Sequence, residues 1–150
     1  MPNVARRRVL ETPVESVWAV VSDPYHLPRW WPRAIRVENV QGSAGERRSH
    51  WTTVLETQSG RPVRADFRCL SSAINERFIW EQQIPDTPFE RVLRSSVLEI
   101  HLEPKPQGTE VKLTSRQTLR GLSRLGSPMM RRATGRILVT ALDGLEEAVS

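Results

Sequence analysis

Cysteine is almost absent. Cys69 stands alone, so the chain can hold neither an internal disulfide nor a cysteine zinc cage. Lysine is nearly as scarce: Lys105 and Lys112 are the only ones, and the remaining positive charge is arginine. No apolar run approaches the roughly 20 residues that span a bilayer. The arginines at positions 6 to 8 have no apolar stretch behind them and do not read as a secretory signal, so the expected location is the cytoplasm. His26, His50 and His101 show neither HxH nor HExxH spacing, and GxSxG, GxGxxG and P-loop runs are missing. These gaps remove the common zinc, nucleophile-elbow and nucleotide-binding signatures, and no metal or cofactor is expected.

What is present is ordinary for one globular domain. The chain has 150 residues, 38% hydrophobic and 26% charged, with a net charge of +5. Residues 1–150 therefore read as a single domain able to bury a substantial core. The basic doublets Arg47-Arg48 and Arg131-Arg132 and the triplet Arg6-Arg7-Arg8 lie far apart without interleaved aromatics, which argues for solvated surface and against a nucleic-acid platform.

Helix punctuation is clear at two places. Thr12-Pro13-Val14-Glu15 has the form of a capping box with proline at the first helical position, followed by the apolar stripe Val14, Val17, Trp18 and Val21. Asp23-Pro24 ends that helix and opens a second short one through Trp30. Ser127-Pro128 opens a helix that runs without proline to about Val149. Its apolar side is read as Met129, Met130, Ala133, Ile137, Thr140, Ala141, Gly144 and Leu145.

Between them the period is two. Strands are expected near 3–11, 33–41, 46–57, 61–70, 76–84, 89–103 and 109–119, the last six joined by short turns into an antiparallel meander. Folding the last two about Lys105 to Gly108 pairs Leu102 with Val111, Leu98 with Ser115, Ser96 with Gln117 and Arg94 with Leu119. Phe78, Trp80 and Gln82 face inward, as do Val63, Ala65, Phe67 and Cys69. For strand 46–57, Trp51, Thr53 and Leu55 are taken as inward.

The order of elements resembles the START-like, SRPBCC helix-grip superfamily of polyketide cyclase/dehydrase and lipid-transport-like proteins. The residues that carry this are Val9-Leu10-Glu11-Thr12-Pro13-Val14-Glu15-Ser16-Val17-Trp18, then Ser22-Asp23-Pro24, then Leu27-Pro28-Arg29-Trp30-Trp31-Pro32, with Gly108-Thr109-Glu110-Val111 later. The resemblance implies an α+β fold. A seven-stranded antiparallel sheet curls around the long C-terminal helix, two short helices follow the first strand, and a cavity lies between sheet and helix.

The expected ligand is a small hydrophobic molecule: a lipid, a polyketide or an aromatic metabolite. Trp51, Phe67, Phe78, Trp80, Met129, Met130, Ala133 and Ile137 would supply walls, and Gln82, Arg94, Ser96, Ser115 and Gln117 polar anchors. Arg94 either meets a carboxylate, phosphate or carbonyl of the ligand, or sits at the rim, reaching water and stacking on Phe78. No catalytic residue is assigned, because Asp66, Glu81, His50 and His101 fall on the outer face. A cyclase or aromatase on the same fold and a protein-binding regulator remain the alternatives. Outward Ile79, Leu93 and Val97 mark either a homodimer face or a register slip of one residue in that strand.

Overall fold

A computed structural model of the chain describes residues 3–43, 46, 48–121 and 127–150, the side chain of Ser127 excepted. Strand β1 (Asn3–Leu10) leads to helices α1 (Val14–Val21) and α2 (Leu27–Trp30), the latter entered through a short 3-10 turn. Strands β2 (Ala34–Gln41), β3 (His50–Glu56), β4 (Pro62–Ala73), β5 (Arg77–Gln82), β6 (Leu93–Lys105) and β7 (Gly108–Leu119) follow, and α3 (Ser127–Val149) closes the chain. The strands form one antiparallel sheet in the order β1-β7-β6-β5-β4-β3-β2, curled around α3. This is the helix-grip α+β architecture. Among the described residues no helix is long and apolar enough to cross a membrane.

Alternation sets the two faces of the sheet. Val111 and Leu113 of β7 and Leu98, Ile100 and Leu102 of β6 are buried against the helices, as is Phe78 of β5. Leu138, Ala141, Leu142 and Leu145 form the buried stripe of α3, which packs on β1 and α2. The outer face is a lattice of ion pairs. Arg36 and Arg64 flank Glu38, Arg68 pairs with Glu81 at 2.8 Å, and Glu99 takes His101 on one oxygen and Arg116 on the other. The two guanidiniums beside Glu38 hold its carboxyl below the usual carboxylate range. Val54 is buried within this face because its cross-strand neighbours Arg36 and Arg64 can lay their stems over it.

Three local expectations are corrected. Thr12 does not cap α1. Pro13 occupies the N-cap position with no side-chain cap, and the Thr12 hydroxyl instead donates to the Val149 carbonyl at 3.3 Å. Thr109 donates to the Thr12 carbonyl at 2.7 Å, so the segment before α1 is tied to β7 and to the end of α3. A true side-chain cap appears one helix later, where Asp23 accepts from the Tyr25 amide.

The second correction is a bulge in β6. The hairpin register holds from Leu102 opposite Val111 through Leu98 opposite Ser115 to Ser96 opposite Gln117. One extra residue then shifts it, so that Leu93 sits opposite Leu119 and the Arg94 side chain is exposed. Leu93 is thereby a core residue, and of the outward apolar set only Ile79 and Val97 remain outside. Phe78 pairs with Ile100, well away from Arg94.

The third concerns α3. Met129 is 77% exposed and Ile137 43%, because the buried stripe of α3 runs through Thr134, Leu138, Ala141, Leu142 and Leu145 and is rotated away from both. Thr140 is also exposed. The expected cap at Ser127 and the Ala44-Gly45 half of a turn lie outside what the structure describes.

Candidate functional site

Among the described residues two apolar clusters lie on the concave side of the sheet, and the polar side chains of Gln82, Ser96 and Gln117 stand between them. The larger includes Phe78, Trp80, Leu98, Ile100 and the buried stripe of α3. The smaller joins Ile84, Leu93 and Leu119 with Phe89 and Met130. Between them one cross-strand row runs from β3 to β7. Trp51 is opposite Phe67, Phe67 opposite Gln82, and Ser96 opposite Gln117. Gln82 and Ser96 stand one step beyond the Glu81–Val97 pair and complete the row. Gln82, Ser96 and Gln117 are half-buried although all face inward, and Ser115 in the next row is buried. On α3, Met130 packs against the smaller cluster and Leu138 belongs to the larger.

The β3 end of the row is aromatic. Trp51 lies nearly parallel to Phe67, with centroids 6.0 Å apart and planes 16° apart. Trp80 stands edge-on to Trp51 at 5.9 Å and also meets Trp30 and Trp31 at 6.2 and 5.5 Å. Trp18 touches Phe78 edge-on. Offset and T-shaped contacts of this kind match the positive edge of one ring to the negative face of another.

This packing leaves polar atoms behind. Trp30 Nε1, Trp51 Nε1 and Thr53 Oγ1 are buried without a hydrogen-bond partner among the described residues. Their residues are 3%, 2% and 2% exposed, so solvent does not compensate them. Trp51 and Thr53 are two residues apart on one strand and point to the same side. An indole N–H can only donate, so both tryptophans call for an acceptor. The sequence places Thr53 inward and Trp30 in the core, but an orphaned donor is a property of packing and leaves no pattern in the chain.

A groove of about 1130 Å³ opens beside the row. Trp51, Phe67, Gln82 and Arg94 line it together with the outward-facing Arg68 and Glu81. Of the residues expected at a site, the structure brings Trp51, Phe67, Gln82, Ser96 and Gln117 into one row, with Phe78, Trp80 and Ser115 in the neighbouring rows and Met130 against the smaller cluster; Ala133 is half-buried and Ile137 exposed, outside both clusters. Met129 is apart from them. Arg94 reaches only the groove. Asp66 accepts from Thr52 at 2.5 Å on the outer face, where Glu81, Glu99 and His101 also lie, and His50 is exposed.

Comparison with known proteins agrees with this architecture. The family described as polyketide cyclase / dehydrase and lipid transport matches residues 1–150. The di-domain ARO/CYC StfQ from the steffimycin biosynthetic pathway superposes with a TM-score of 0.81 at 10% identity, over 99% of this chain and 50% of that one. A protein from Thermus thermophilus gives 0.76 at 21% identity, covering 99% and 97% of the two chains. One from Chromobacterium violaceum gives 0.75 at 18%, covering 99% and 96%. At these identities the likeness is one of fold. No curated protein matches the sequence.

Proposed function

The chain belongs to the polyketide cyclase/dehydrase and lipid transport family, and from that premise we propose that it binds a small hydrophobic molecule bearing oxygen acceptors. The molecule would lie between the concave face of the sheet and α3. The observation that carries this reading is the set of orphaned donors, Trp30 Nε1, Trp51 Nε1 and Thr53 Oγ1. Each buried, unpaired donor costs about 1–3 kcal/mol, which a carbonyl or hydroxyl oxygen of a ligand would recover. The aromatic wall offers flat apolar area beside them, and Gln82, Ser96 and Gln117 offer adaptable polar contacts along the row. A binding role is supported further by Asp66, Glu81, Glu99 and His101, which all turn to the outer face.

The test compares a hydroxyanthraquinone with anthracene, read by quenching of tryptophan fluorescence, alongside native mass spectrometry of freshly purified protein. The oxygenated compound should bind at least tenfold more tightly, and Trp51→Phe should narrow that gap. Equal affinity for both would remove the acceptor requirement. A bare protein that takes up neither compound would end the ligand reading and favour a protein-binding role.

A further inference from the structure

The outward face of α3 carries a charge pattern that is self-complementary when reversed. Arg132, Arg136, Val139, Thr140, Asp143 and Glu147 are all exposed. At 3.6 residues per turn they share an arc of about 100°. Their spacing is four, three, one, three, four, symmetric about the point between Val139 and Thr140, while the charges run from two arginines to two carboxylates.

Within one helix this order is unfavourable. Cations occupy the half nearer the positive N-terminal pole and carboxylates the half nearer the negative C-terminal pole. The C-terminal half is relieved in part by the rest of the molecule. Arg8 reaches Asp143 at 2.5 Å and Glu146 at 3.6 Å, and Arg29 donates to the Ala148 carbonyl at 2.9 Å. Arg132, Arg136 and the Glu147 carboxylate have no ion pair among the described residues. An antiparallel second helix would correct both faults, bringing its carboxylates and its negative pole to the unpaired arginines.

We propose that two copies of this chain pair antiparallel through α3 about a two-fold axis at Val139–Thr140. Arg132 of one copy then faces Glu147 of the other, and Arg136 faces Asp143, each pair occurring twice by symmetry. Val139, 38% exposed, lies beside the axis as the apolar contact. The stripe is about 22 Å long at 1.5 Å per residue. A single helix pair of this length lies at the small end of specific interfaces, so the dimer is weak, reversible and sensitive to salt.

Sedimentation velocity on the full chain tests this through charge reversal. Wild type should dimerise at low salt and dissociate at high salt. R132E/R136E, with an all-acidic stripe, and D143R/E147R, with an all-basic one, should each be monomeric. Their equimolar mixture should recover the dimer. A monomeric wild type at the highest soluble concentration overturns the proposal, as does a dimer that survives in both variants.

Because D143R also removes the partner of Arg8, a second variant keeps the test independent of folding. Val139→Cys should cross-link to its copy under mild oxidant at low salt, with the buried Cys69 as a silent background. Absence of that cross-link would equally overturn the two-fold axis.

Discussion

Trp51 stacks on Phe78 with ring centroids 6.1 Å apart and planes 16° apart, although their strands, β3 and β5, are separated by β4. Flat strands two places apart would hold their backbones nearly 10 Å from one another. Curling of the sheet, with Phe67 also nearly parallel to the indole at 6.0 Å, packs Trp51 tightly into the concave face. Truncation at this point should therefore be costly, and removal of the N–H alone should not. Trp51→Ala is expected to destabilise the fold by about 3–5 kcal/mol. Trp51→Phe keeps a stacking ring and deletes an orphaned donor, so its cost should stay below about 1.5 kcal/mol. Urea unfolding of the two variants measures the difference; equal losses would mean that the indole N–H has a partner after all.

The inward positions are legible wherever the period of two runs unbroken. Val111, Leu113, Leu98 and Ile100 follow from alternation and one hairpin turn. The side expected for Trp51 and Thr53 is the one the structure takes, with Trp51 opposite Phe67 and Thr53 opposite Ala65. Arg94 escapes the pattern because a bulge inserts one residue and inverts parity beyond it, and only the apolar Leu93 in an outward slot hints at the slip. The wheel of α3 gives an apolar arc centred too far round the helix: it omits Leu138 and Leu142, which the structure buries, and so assigns Met129 a contact that the side chain does not make. At Thr12 a local motif loses to Thr109 and Val149, 97 and 137 residues away.

That long-range tie predicts an inversion of the usual capping result. Glu15→Ala, which would break a capping box, should change stability by less than about 0.5 kcal/mol, as for a surface position. Thr109→Val should cost about 1–3 kcal/mol, since it leaves the Thr12 carbonyl without its buried donor. Chemical denaturation of both variants is the check, and a larger loss for Glu15→Ala would restore the capping box.

Acid should weaken the outer face at Glu99. Burial raises the pKa of this carboxyl, but hydrogen bonds from His101 and Arg116 outweigh it and hold the group below its usual value of 4.5. A carboxyl that is easier to ionise when folded contributes stability above its unfolded pKa. That contribution disappears as pH falls through the lower folded value, and does not change on the alkaline side. Glu99→Gln should thus be less stable than wild type at neutral pH, and the two curves should converge below about pH 4. Unfolding midpoints measured between pH 7 and pH 3 would refute the assignment if the gap stayed constant.

Two glycines of α3 should respond to alanine with opposite signs. Both gain helix propensity, about 0.5–1 kcal/mol relative to glycine. At Gly135 the new methyl would meet the Arg6 guanidinium at 2.6 Å, the far end of an exposed and flexible side chain that can swing away. Gly135→Ala should therefore stabilise by roughly that propensity gain. At Gly144 the methyl would stand 2.5 Å from the Trp30 carbonyl oxygen and 3.0 Å from its Cα, against the backbone of α2. Backbone cannot retreat as a side chain does, and overpacking of about 1–3 kcal/mol should exceed the gain. Thermal unfolding of the pair reads both signs at once. Stabilisation by both substitutions would mean that α2 does not press on α3 at Gly144, and that the aromatic cluster behind Trp30 is looser than its contacts imply.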